Sequence, residues 1–221
     1  MINLPFTTDQ FLGIFRSYNN AVWPFQIVLL LLALLAIFIA IKSTSRSSRI
    51  VSGILAFFWL WMGIAYHLLA FSAINKAAYI FALLCVTQGF FFFFLGVIKQ
   101  KLSFRFRFDW FGITGAILLL YALVIYPALG YLLGHPFPQS PTFGLPCPTT
   151  IFTFALLLWT DRGVPPVIVV IPVLWSLIGS SAALSLGMKE DIGLLFAGLV
   201  GTLLIYVKNV VQRNQSVRNI A

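Results

Sequence analysis

Two cysteines and two histidines carry the metal-ligating and nucleophilic potential of this 221-residue chain: Cys85, Cys147, His67 and His135. The most unusual setting is that of Cys147, which lies between two prolines in GLPCPTT (144–150), just ahead of an apolar run. A proline holds the residue before it extended, so Leu145 and Cys147 both read as non-helical. Pro148 suits the first turn of a helix, where its missing N–H has no partner to lose. Cys147 is therefore predicted to N-cap a helix reaching Thr160. A thiol at that position is a candidate nucleophile or ligand, and the helix N-terminus itself is a candidate anion site.

Depth gives the second clue. The 148–160 run has about 13 residues and spans roughly 20 Å as a helix. The hydrocarbon layer of a bilayer is roughly 30 Å thick. Trp159, Asp161 and Arg162 anchor one end at the interface, which leaves Cys147 about 10 Å below the opposite surface. The segment above it, GHPFPQSPTFGLP, must then dip into the layer, and irregular backbone is tolerated there only inside protein or around a cavity. A pocket open to one face is predicted. His67 and Cys85 fall at similar depth in their own apolar runs, and Gln88 shares a helical face with Cys85. His135 and the pair Glu190–Asp191 fall at the rim. Polar groups inside a membrane are costly, and functional by default. Cys147, His67 and Cys85 together would suit a soft metal ion such as Cu(I) or Zn(II). A small anion at the half-helix N-terminus is the competing ligand.

The elements that must carry these residues are dictated by composition. The chain is 61% hydrophobic and only 9% charged, against about 25% charged in a soluble domain. Lipid must be the solvent. The net charge of +9 does not signal nucleic acid, because the basic residues fall in the gaps between apolar runs. The cysteines show no CxxC spacing, so neither a disulfide framework nor a zinc motif is indicated. Walker, zinc-protease and GxSxG motifs are missing, which leans away from an enzyme. MINLPFTTDQ has no basic residue and does not read as a cleaved signal.

The fold class is all-α: a polytopic membrane domain with seven spans at about 21–41, 51–73, 77–98, 110–133, 148–160, 164–187 and 192–208. A short amphipathic helix (7–20) precedes them, with Thr7 and Gln10 spaced as a capping box and Phe11, Ile14 and Phe15 on one face. SFRFRFDW (103–110) reads as an interfacial anchor. Gly193, Ala197 and Gly201, with Gly179 and Ala183, form small-residue faces for packing within the bundle or in a homo-oligomer. With the N-terminus outside, eleven of the fourteen Lys and Arg residues sort to the inner side, a strong positive-inside bias.

The stretches LPFT…YNNAVWP, GIAYH, GHPFPQSPTFGLPCPTTIFTF and IPVLWSLIGSSAALSLGMKEDIGLL resemble a bacterial family of multi-span membrane proteins of unknown function, some of whose members carry a permease label. The resemblance covers most of the chain and implies a bacterial inner-membrane protein. It implies no reaction, cofactor or site residue. Three functions follow as expectations. The first is a small transporter or ligand-binding protein with an outward pocket. The second is an accessory or assembly subunit, and the third a thiol-redox protein or enzyme using Cys147. A reporter fused to the C-terminus should report the cytoplasm, since the basic residues sort to that side; an external signal would mean that 148–160 does not cross.

Overall fold

In lipid, each backbone polar group must be satisfied within its own segment, so long apolar runs become helices. The computed structural model describes residues 5–44 and 46–218 and contains no β-strand among them. Residues 1–4 lie outside the described residues. The chain starts with α1 (Thr8–Val22). Its capping box forms: the Gln10 N–H donates to the Thr7 hydroxyl, and the Thr7 N–H donates to Gln10 Oε1. Phe15 and Tyr18 turn inward, and the Trp61 indole donates to the Tyr18 hydroxyl at 2.7 Å. Burial pushes the Tyr18 phenol up to about 12, against the opposing hydrogen bond from Trp61.

The bundle follows. α2 covers Phe25–Lys42. α3 (Ser47–Trp61) runs on through a π-helical stretch, Met62–Leu68. α4 (Ala78–Phe91) does the same through Phe92–Ile98. α5 (Trp110–Leu120) and α6 (Tyr126–Leu132) are halves of one crossing, joined by the π-helical turn Tyr121–Ile125. Then come α7 (Pro146–Leu158), α8 (Pro166–Leu186) and α9 (Ile192–Arg218). Among the described residues, six helical segments are long and apolar enough to cross a membrane, and α7 is the shorter seventh. One end of the bundle carries α1 and the 133–145 loop. The other carries the basic connections.

α7 is the centre. Every residue in it except Cys147 is buried, and it packs on α5, α8, α9 and the 121–125 turn. Trp59 on α3 donates its indole N–H to Thr153 at 3.1 Å. The expected N-cap is corrected: α7 begins at Pro146, with Leu145 as the extended cap residue, and Cys147 is its second residue. Both prolines fall in the first turn, whose N–H groups have no intrahelical acceptor, so neither ring disturbs the helix. The bias of Cys147 toward extended backbone gives way because Pro148 removes no bond there. The Thr149 hydroxyl instead accepts the Gly144 N–H at 3.2 Å.

The other end of α7 stops at Leu158, and the chain leaves as an extended piece. Arg105 N–H donates to the Trp159 carbonyl at 2.7 Å, and Asp161 N–H to the Ser103 carbonyl at 2.9 Å. Phe104 is buried and Phe106 meets Trp159 edge-on at 4.9 Å. Of the rings of SFRFRFDW, Phe108 and Trp110, 88% and 81% exposed, stand free at the surface with the exposed Arg105 and Arg107, whereas Phe104 and Phe106 pack into the end of the bundle. Lys208 reaches back from α9 and donates to the Leu158 carbonyl at 2.8 Å, placing a cation on the negative end of α7. α9 runs ten residues past the predicted boundary at 208 because Asn209 and Gln212 hold the 161–164 backbone. Gly193 lies against the Tyr121 ring and Gly201 against Phe154, so this small-residue face packs inside the bundle.

Replacing Lys208 with Met should leave the Leu158 carbonyl buried and unpaired, at a cost of about 1–3 kcal/mol. Thermal unfolding in detergent should show a lower midpoint for Lys208→Met than for Lys208→Arg, which keeps a donor.

Candidate functional site

Because α7 is short, space remains above its first turn. A cavity of about 270 Å³ opens there between α1, the end of α3, α4 and α8. Its floor is Cys147, Tyr126 and Asp191. The Tyr126 hydroxyl donates to Asp191 Oδ1 at 2.6 Å, and Cys147 lies beside the same carboxyl. Its walls are rings: Phe11 and Phe15 from α1, Tyr66 and Phe71 beyond α3, Phe81 from α4 and Trp175 from α8.

Local structure explains how these groups meet. The π-helical turn at 121–125 shifts the helical phase ahead of Tyr126, and the π-helical stretch 62–68 carries Tyr66 and His67. Such wide turns inside helices recur at functional sites. Gly187, at φ 77°, ends α8 in a conformation that favours glycine. The 3₁₀ turn Lys189–Asp191 then folds both carboxylates inward. Glu190 and Asp191 were expected at the rim; both are buried instead, because the bundle supplies partners. His135 Nδ1 lies 3.1 Å from Glu190 Oε1, and the Tyr121 hydroxyl donates to the Glu190 carbonyl at 2.6 Å.

The remaining candidates separate from this cluster. His67 is wholly buried behind the cavity wall, boxed by Tyr66, Phe71, Phe81 and Trp175 at ring distances of 4.9–6.0 Å. Neither ring nitrogen has a hydrogen-bond partner. Cys85 abuts Gly63 in the seam between α3 and α4. The soft-metal set of Cys147, His67 and Cys85 is thus corrected. Among the described residues, no three His, Cys, Asp or Glu side chains converge to hold a metal ion.

Gln88 has a structural task. Its amide donates to the Ile168 carbonyl at 2.8 Å. That carbonyl lies four residues before Pro172, which has no N–H to offer it. Gln88 therefore replaces a bond the proline removed.

Tyr126, Tyr66 and Trp175 were not singled out from the sequence. A signal existed for Tyr126: a phenol inside an apolar run needs a partner for its hydroxyl, and a buried acid is the natural one. The spacing of Phe11 and Phe15 was legible as a face, but not what it covers.

The fold and cavity define a polytopic helical membrane protein with a polar-floored pocket at one end of its bundle. Residues 8–216 match a family of unknown function, DUF6064, and the chain belongs to that family. No curated protein and no solved structure matches it.

The role of Gln88 can be isolated by a double-mutant cycle. Gln88→Leu should destabilise the protein by about 1–3 kcal/mol. In a Pro172→Ala background, where residue 172 regains its N–H, the same change should cost much less. Equal costs in both backgrounds would refute the pairing.

Proposed function

We propose that this protein is a small permease or ligand-binding protein of a bacterial inner membrane, with its pocket facing outward. The observation that carries this reading is the ring-walled cavity above α7, with Asp191, Tyr126 and Cys147 on its floor. Small-molecule sites are concave and mostly apolar, with a few convergent polar groups. At about 270 Å³, this cavity suits a small ligand. Intramembrane carboxylates favour the same reading, since they persist where they serve a pathway or a bound group. The orientation follows from the basic connections at the end opposite the pocket.

The alternatives draw less support. An accessory subunit would be served by a filled outer half, whereas this one encloses space. A thiol-redox role for Cys147 would be helped by a second thiol or an imidazole at its sulfur, and the group there is a carboxyl. A small anion is disfavoured because Asp191 already occupies the N-terminal end of α7.

Thiol modification tests whether the pocket is accessible. In purified protein in nanodiscs, neutral methyl methanethiosulfonate should modify Cys147 at least about tenfold faster than buried Cys85. Ala182→Trp, which fills the cavity from α8, should slow Cys147 and leave Cys85 unchanged. Equal inertness of both thiols in the wild-type protein would overturn the reading.

A further inference from the structure

The charge balance of the cavity is one-sided. Asp191 is buried at its floor, and it faces a hydroxyl, that of its hydrogen-bond partner Tyr126, and the neighbouring Cys147 thiol, with no cation among them. His135 contacts Glu190, next in sequence, at 3.1 Å, so His135 serves the other carboxylate. No Lys or Arg is among the described residues lining the cavity; most basic side chains gather at the far end of the bundle. The N-terminus of α7 contributes about half a positive charge, less than the unit charge that Asp191 carries when ionised. With Asp191 ionised, as beside a bound cation, the cavity interior is a place of negative potential in low-dielectric surroundings, where a charge is felt most strongly.

The walls fit the same sign. Phe71 stacks on Tyr66, ring centroids 5.6 Å apart and planes at 9°. Phe81 meets Trp175 edge-to-face at 5.4 Å. Ring faces carry negative quadrupole density and attract cations, most strongly where water is excluded. A buried carboxylate within an aromatic enclosure is the arrangement that holds an ammonium group: the acid neutralises it, and the rings replace its hydration shell.

We infer that the pocket recognises a small organic ammonium ion, with the charged nitrogen at Asp191 and the apolar body against Phe81 and Trp175. This rests on the pocket reading above and names the ligand class for it. Neutral apolar molecules lose the carboxylate contact, and carboxylates meet like charge at the floor.

Protection of Cys147 from methyl methanethiosulfonate tests this in the full-length protein in nanodiscs. Three probes of matched shape differ in charge: benzylammonium, benzyl alcohol and phenylacetate. Benzylammonium should protect at a concentration about tenfold or more below that of benzyl alcohol, and phenylacetate should protect least. Asp191→Asn should bring benzylammonium and benzyl alcohol within about twofold of each other. If that variant does not fold, Phe81→Leu serves instead, and it should weaken benzylammonium more than benzyl alcohol. Equal protection by benzylammonium and benzyl alcohol in the wild-type protein overturns the inference, as does stronger protection by phenylacetate or protection by none of the three. Each of these outcomes leaves the pocket itself standing. A Cys147 that the reagent does not modify at all removes the pocket, and the inference with it.

Discussion

A helix of 13 residues rises only about 20 Å, and α7 lies buried among helices long enough for a layer roughly 30 Å thick. Its Pro146 end therefore stops inside the bundle, where unsatisfied backbone groups are not tolerated. The surrounding protein takes over at each end. On one side, Lys208 binds the Leu158 carbonyl and the 103–106 segment pairs with residues 159–161. On the other, Thr149 accepts from Gly144. The loop above is held in turn by Asn19 of α1, whose amide donates to the Pro138 and Ser140 carbonyls at 2.7 and 2.8 Å. The longer helices can surround α7 because it is apolar on all faces. Its side chains, Phe152 and Phe154 among them, find partners in every direction.

The cavity follows from the same shortfall. Where α7 ends early, no helix fills the centre, and irregular chain, α1 and aromatic side chains enclose the space. α1 is more than a surface anchor: Phe11 and Phe15 line the cavity, and Tyr18 and Asn19 fasten the helix to α3 and to the loop. The polar groups that reach this depth do so on irregular turns. The π-helical turn before Tyr126 and the 3₁₀ turn ending at Asp191 face each other, and the bond between them is the best-formed contact of the floor.

Not every intramembrane polar residue serves the pocket. Gln88 repairs the backbone at Pro172, Thr153 satisfies Trp59, and Cys85 fills a narrow seam against Gly63. Depth and polarity alone rank these residues equally with Asp191. What sets Asp191 apart is a cavity beside it and neutral partners around it.

Local properties were readable directly. Apolar runs define crossings because lipid forces each to satisfy its own backbone, and the Thr7–Gln10 box forms within four residues. The helix start at GLPCPTT was legible too, since proline acts on its immediate neighbours, although the helix began two residues earlier because first-turn N–H groups are dispensable. The site depended on rotation and tilt, which the sequence does not encode one helix at a time. Tyr126 and Asp191 are 65 residues apart, and Gln88 and Ile168 are 80 apart. Rotating the Gln88 helix by half a turn would carry its side chain to the opposite face. Only packing around α7, with the phase shift of the π-helical turns, decided that Cys147 meets a carboxylate rather than a histidine, and that Glu190 and Asp191 turn inward rather than toward water.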